Sequence, residues 1–310
     1  MPPRLNPGWQ MLDCTGLEGS IHYRRGQLVI HKGEECVSEV PLSRIAVVLV
    51  GSKVSISGAV LMKLREYDVC LQVCDWKGIV AAGLYPMSSH TRVAARHRAQ
   101  AAMSLPRKKA AWSALVRAKI LGQANVLSAL GASSKPLREL AKKVRSGDSD
   151  NCEALAARMY WGALMPRDSS RQPGAQTDPI NACLDYGYTV LRSHAIRAVA
   201  SAGLCGPLGV FHRSRGNPWC LADDLMEPFR PCIDFVVLKS AKDGTLDFDA
   251  MKPVLVDAAS GSFNQDNPAA PAALVELGQQ FGRYAEKEID RLLVDSWSPV
   301  EVLSDEVAGE

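Results

Sequence analysis

The chain has 310 residues, of which 47% are apolar and 22% charged, with a formal net charge of +3. This composition excludes a mostly disordered chain, and so mild a basic balance neither demands nor excludes nucleic acid, leaving that question to local patches. The length suggests two domains. The opening MPPRLNPGWQ lacks a signal-peptide core, and no apolar run approaches the ~20 residues that span a bilayer. The sequence therefore predicts a cytoplasmic protein with no membrane partner.

Strand patterns come first. Within GSIHYRRGQLVIHKGEECVSEVPLSRIAVVLVG, short alternating or β-branched runs are separated by Gly turns. Gln27–His31, Val37–Pro41 and Ile45–Val50 read as strands, Ala59–Glu66 as a short helix, and Val69–Val73 and Ile79–Leu84 as strands. The texture changes near Pro86–Thr91. Beyond it, Thr91–Ser104, Lys108–Ala129, Pro136–Arg145, Cys152–Leu164 and Asn181–Ala202 carry apolar residues at helical spacing. Gly203 stands where a helix C-cap is expected. Pro166–Pro179 reads as a polar loop, and the tail from Pro299 is acidic and reads as frayed. The predicted fold is α+β and multidomain: a small strand-rich N-terminal domain (residues 1–88) followed by a larger all-α catalytic domain (residues 89–310).

Nine cysteines are scattered along the chain without paired CxxC motifs, which gives a structural zinc site little support. They read as small buried hydrophobes in a reducing compartment.

Three segments of the helical part carry chemistry-bearing residues. Glu153 opens a helix, and on its own is most simply a partner of the helix dipole. His212 ends the segment GLCGPLGVFH and leads into a basic loop. Alone it reads as a satisfied polar residue, but Arg213 and Arg215 beside it would disfavour its protonated form and leave the neutral imidazole that a metal requires. The same arginines suit phosphate oxygens. In LADDLMEPFRP, Asp223, Asp224 and Glu227 lie within about one helical turn. They are interleaved with Leu221, Leu225, Met226 and Phe229, so the run reads as largely buried, and buried carboxylates need a partner such as a divalent cation. Pro228 would break the helix and aim Glu227 sideways. Oxygen ligands with one imidazole suit Mg²⁺ or Mn²⁺. Spacing by itself reaches no further than a metal phosphodiesterase.

Taken together, these segments resemble the CRISPR-associated protein one family, the endonuclease/integrase of CRISPR spacer acquisition, in the form that accompanies type II systems. The resemblance is sharpest over Asp178–Asp234. Glu153–Trp161 matches the family's Glu-Gly-x-Ala-Ala-Arg-x-Tyr-Trp helix, with Ala154 in place of Gly. Trp112, Lys119, Ile120 and Gln123 also fit, as does VGSKVSISGAVLMKLREYDVCLQVCDWKG in the strand domain. Asp185 stands where the family often has Asn, which puts a carboxylate where an amide is usual. The resemblance implies Glu153, His212 and Glu227 as catalytic metal ligands, with Asp224 as a possible accessory acid and Asp223 as structural. It implies Mg²⁺ or Mn²⁺ as cofactor and a homodimer through the strand domain. It further implies partnership with the small CRISPR-associated protein two, and DNA as substrate: a spacer-precursor duplex and the CRISPR repeat.

Basic clusters offer phosphate contacts: Arg92, Arg96 and Arg98; Arg107, Lys108 and Lys109; Lys142, Lys143 and Arg145. Arg213, Arg215, Arg96 and Lys108 are the expected DNA-binding residues. Tyr23 with Arg24 and Arg25 is the nearest aromatic–basic cluster in the strand region. Two other readings remain open on sequence alone. One is a DNA-binding scaffold that has lost catalysis, against which the three intact ligands argue. The other is a helical metal hydrolase of a small phosphoester, which no Gly-rich phosphate loop supports.

Overall fold

The computed structural model describes residues 10–76, 80–86, 90–165, 170–174, 178–266 and 269–299. The N-terminal region is built from eight strands and one helix: β1 (Gln10–Cys14), β2 (Gly19–Arg24), β3 (Gln27–Lys32), β4 (Glu35–Pro41), β5 (Ile45–Val50), β6 (Val54–Ile56), α1 (Gly58–Glu66), β7 (Cys70–Cys74) and β8 (Val80–Leu84). They form two four-stranded sheets, ordered β1-β5-β7-β8 and β4-β3-β2-β6. β2 and β3 are joined through Arg25 and Gly26, both at positive φ, as a two-residue hairpin requires. This turn accounts for Arg25 without any ligand.

β5 runs parallel to both its neighbours. Its sequence IAVVLV is buried throughout, as expected for a strand covered on both faces. From Val47 on the side chains alternate, so Val47 and Leu49 join a core shared with the helices and Val48 and Val50 a separate core of the strand region; at the irregular start of the strand Ala46 joins the first and Ile45 the second.

The remaining chain is helical: α2 (Val93–Ala101), α3 (Leu105–Ala129), α4 (Lys135–Lys143), α5 (Cys152–Leu164), α6 (Pro179–Ser201), α7 (Cys220–Leu225), α8 (Arg230–Lys242), α9 (Phe248–Ser260) and α10 (Ala270–Ala285). α6 starts on Asp178, whose carboxylate accepts from the Asn181 N–H, with Pro179 in the first turn. It is buried on most sides and packs against α8, α9 and α10. The strand region is tied to it by hydrogen bonds: Gln72 Nε2 donates to the Ser193 carbonyl at 3.2 Å, Arg197 Nε to the Asp68 carbonyl at 3.1 Å, and Tyr186 Oη to Asp13 at 2.7 Å.

A strand-rich region followed by a helical one is the predicted architecture. Every strand and helix placed from the pattern is present within two or three residues, and Gly203 is the left-handed residue that ends α6. β1, β2 and β6 go beyond the strands placed from the pattern, as do the helices α7 to α10, and three-residue β6 has no alternation to read. Ile79, parts of the polar loop 166–179 and the tail 300–310 lie outside the described residues, as do 1–9. Among the described residues, no helix is long and apolar enough to cross a membrane. Seven of the nine cysteines are buried; Cys205 is half-buried and Cys36 is exposed, which departs from the expectation of burial.

Candidate metal centre

Glu153 lies in the first turn of α5, but it does not cap it. The carboxylate of Asp148 accepts from the N–H groups of Cys152 (2.9 Å) and Glu153 (3.0 Å), so the helix end is already satisfied by another acid. Gly147, Asp148 and Asn151 all adopt left-handed φ in the turn that sets where α5 starts. The Glu153 side chain is thereby free to reach α3, where Lys119 Nζ donates to Oε1 at 2.6 Å. Glu153 sits in the first turn, as the helix-dipole reading requires, and its carboxylate has in addition a cation on α3.

Lys119 also lies 2.5 Å from Glu227 Oε2. α7 ends at Leu225, and Glu227 opens a single tight turn, Glu227–Phe229, that leads into α8. The turn and Pro228 carry Glu227 out of line with the acids before it, as the proline predicted. Arg230, three residues on, donates from Nε to Glu227 Oε1 at 2.8 Å. Burial pushes the Glu227 carboxyl up, but Arg230 and Lys119 together overcome that and hold it down to about 2. Burial works against charge on Lys119 as well, and Glu227 and Glu153 outweigh it, so its ammonium is held above the usual lysine range.

His212 and Asp224 form a second unit. The Asp224 carboxylate is fully buried. It accepts from the N–H groups of Val210 (2.6 Å), Phe211 (3.3 Å) and His212 (3.1 Å), and its Oδ1 lies 2.8 Å from His212 Nδ1. A Cβ on Gly209 would lie 2.7 Å from Asp224 Oδ2 and 2.6 Å from the His212 carbonyl, so this clamp closes only over glycine. Nδ1–H pairing with a carboxylate leaves Nε2 as the lone-pair nitrogen of the neutral ring, the arrangement that a carboxylate behind a metal-binding imidazole imposes. The Asp224 hydrogen bond raises the pKa of His212 against burial, which lowers it. This overturns the expectation that Arg213 and Arg215 keep the ring neutral: both arginines are exposed, and the nearest charge is an anion. Asp224 thus positions the histidine, and the Phe211 ring beside it stacks on buried Trp112 of α3 at 4.2 Å. Asp223 is structural, paired with Arg192 at 2.6 Å.

The donors present fit a hard divalent ion. Glu227 Oε2 is buried and accepts no directed hydrogen bond despite its ion pair, and the available donors are carboxylate oxygens with an oriented imidazole. Among the described residues, however, no three His, Cys, Asp or Glu side chains are already drawn together as a metal cluster. Glu153 and Glu227 meet through Lys119, while His212 is held at the level of Trp112, seven residues and about 10 Å earlier along α3.

Several residues around Glu227 were not singled out from sequence. Asp234 accepts from Tyr160 Oη at 3.1 Å and from Tyr188 Oη. Burial raises its carboxyl to about 6 although both hydroxyls, Arg230 and Lys119 oppose the shift. The Arg230 guanidinium lies 4.5 Å above the Tyr188 ring. Asp234, Tyr188 and Arg230 line a cavity beside Glu227 together with Lys119, Gln123, Trp161 and Arg171. The available signal was helical spacing: Glu227, Arg230 and Asp234 are three and four residues apart. Asp185, the unusual acid, binds Arg171 at 2.5 Å and the Gly174 N–H at 2.8 Å, fixing Arg171 at the cavity edge.

The expected DNA contacts divide. Arg213 and Arg215 are exposed on the loop after His212, and Lys108 is half-buried near the start of α3. Arg96 is not a surface cation. It is 5% exposed, and donates to the Ala202 carbonyl (2.5 Å) and Gln279 (2.8 Å) beside Glu286. Its period-3.6 position faces α10, so it serves packing between helices. Arg107 is likewise committed, to the carbonyls of Tyr284 and Ile289.

The fold, a two-sheet region followed by a helical one, recurs in known structures. A casposase bound to integration product superposes with a TM-score of 0.73 over 92% of both chains at 19% identity. A Cas1 protein from Thermotoga maritima gives a TM-score of 0.70 at 13% identity, covering 94% of this chain and all of the other. Sequence relatives are closer. The CRISPR-associated endonuclease Cas1 of Neisseria meningitidis serogroup C is 37% identical over 231 residues, 74% of this chain and 75% of its own. A Cas1 endonuclease of Pyrobaculum aerophilum is 32% identical over 240 residues, 71% and 78% of the two chains. The model of the family "CRISPR associated protein Cas1" matches residues 15–255. The chain belongs to the Cas1 family.

Proposed function

We propose that the chain is the integrase and endonuclease of CRISPR spacer acquisition, with Glu153, His212 and Glu227 as ligands of Mg²⁺ or Mn²⁺. The observation that carries this reading is the convergence of Glu153 and Glu227, from distant segments, on one largely buried lysine, Lys119, in a Cas1 chain. When bound, the ion would stabilise charge on a phosphoryl oxygen and lower the pKa of an attacking hydroxyl. With a DNA 3′-hydroxyl as nucleophile the outcome is strand transfer; with water it is cleavage.

The protein supplies the positioning. Asp224 orients His212 and fixes its tautomer. Arg230 holds Glu227 ionised so that no proton must leave it. Exposed Arg213 and Arg215 take backbone phosphates next to the centre. Solved neighbours described as a Cas6-RT-Cas1–Cas2 complex and a Cas1–DNA complex support DNA and the small CRISPR-associated protein two as partners. Residues 1–88 are the homodimerisation domain in this reading, residues 89–310 the catalytic domain, and the cytoplasm the compartment.

The test is Glu227→Ala in strand transfer into a supercoiled plasmid carrying a CRISPR repeat, with Mn²⁺, alongside duplex binding over a salt series. Product is expected to fall to background while binding persists. Undiminished product would remove Glu227 from the centre.

A further inference from the structure

The function above treats Glu153 and Glu227 as ligands, yet both carboxylates already share a cation. Lys119 Nζ is 2.6 Å from Glu153 Oε1 and 2.5 Å from Glu227 Oε2, and its side chain is only 13% exposed. With Arg230 on the other oxygen of Glu227, two acids face two bases and the cluster carries no net charge. A divalent ion approaching the same oxygens therefore meets neutralised carboxylates and a resident ammonium. Like charges so close in a poorly solvated site repel strongly, so ion and ammonium cannot both occupy the space between the two acids.

The ammonium also has somewhere to go. Lys119 lines the cavity beside Glu227, and so does Gln123, one turn further along α3. Gln123 is 3% exposed, and its Oε1 has no hydrogen-bond partner among the described residues. Asp234 lines the same cavity. A phosphate brought to the centre would be a stronger acceptor still.

We propose that Lys119 is an internal counter-cation that competes with the divalent ion for the Glu153–Glu227 pair, and that a backbone phosphate of bound DNA relieves the competition by drawing the ammonium away. The idea rests on the metal-centre reading above. It adds that ion affinity is held low until DNA arrives, which would restrain cleavage by the free enzyme.

The experiment is titration of the purified full chain with Mn²⁺, free ion being read by electron paramagnetic resonance, which does not depend on turnover. Wild type, Lys119→Met, Lys119→Arg and Glu227→Gln are compared with and without a short duplex, the duplex alone serving as blank. Lys119→Met is expected to bind Mn²⁺ at least about tenfold more tightly than wild type without DNA, and Lys119→Arg to stay near wild type. Duplex is expected to tighten binding by wild type but not by Lys119→Met. Removing the ammonium leaves Glu153 without its cation and Glu227 with Arg230 alone, so the melting temperature of Lys119→Met should fall without metal and recover on Mn²⁺ addition. Lys119→Gln serves if Lys119→Met does not fold. Equal or weaker Mn²⁺ binding by the folded neutral variant, with Glu227→Gln still weakened, would overturn the competition and leave the metal centre standing. Unchanged binding by Glu227→Gln would remove the metal centre, and the competition with it.

Discussion

Asp224→Asn separates positioning from ligation. The carboxylate receives three backbone N–H groups and the His212 ring, and none of its surface reaches solvent. An amide of the same shape keeps one oxygen acceptor but turns an NH₂ group toward donors. At least one N–H of the 210–212 loop is then left facing another donor. Hydrogen bonds to a charged group contribute about 1.5–3 kcal/mol each, and breaking a buried charged network from one side costs about 3–5 kcal/mol. Part of the loop's backbone pairing survives in the amide, so the stability loss should fall at about 2–4 kcal/mol. The effect on chemistry is separate: removing a group that orients a metal-binding imidazole costs about 10–100-fold in metal affinity or activity. Urea denaturation gives the first quantity, and strand-transfer rate at saturating Mn²⁺ with Mn²⁺ affinity gives the second. If Asp224→Asn is destabilised but keeps wild-type Mn²⁺ affinity and rate, Asp224 only packs the loop and the orientation argument fails. If it keeps full stability, the buried clamp itself is wrong.

Other consequences follow from burial of charge. His194 is enclosed in α6, and burial lowers its pKa from 6.5 to about 3. The folded state holds the ring neutral while the unfolded chain protonates it, so stability is present above the unfolded pKa and is lost as pH falls below it. Between about pH 7.5 and about pH 5 this amounts to about 2 kcal/mol. Asp234, raised to about 6, works in the opposite sense over part of that range, so the quantity to measure is the difference in urea stability between wild type and His194→Gln at the two pH values. A difference that does not change with pH would contradict a neutral buried ring. Arg96→Met should lose about 3–5 kcal/mol of stability, because Gln279, the Ala202 carbonyl and part of the Glu286 charge lose their partner, while the salt dependence of duplex binding stays unchanged. Arg215→Ala should do the reverse, leaving the melting temperature alone and lowering the log–log salt slope by about 1. A shallower slope in folded Arg96→Met would restore Arg96 to the DNA face.

Local sequence determined much of this protein. Strand and helix periods, the β5 apolar run, the Gly203 cap and the Pro228 break are consequences of neighbouring residues, and each is visible within a window of a few turns. Glu153, His212, Asp224 and Glu227 stood out as a group through the family resemblance that the order of several motifs carries; spacing alone reached only an acidic–histidine site. What the sequence could not assign was partnership. Arg96 and Arg98 are two residues apart on α2, yet Arg96 is enclosed against α10 and Arg98 is exposed; only the packing of distant helices decides between them. Arg213 and Arg215 adjoin His212 in the chain, but the charge that governs its ring comes from Asp224 across a folded loop. Lys119, a member of a recognisable helix pattern, acquires its meaning from carboxylates brought to it by two other segments. Charges interact through space at a strength set by burial, and both the separation and the burial are fixed only when the whole chain has closed around them.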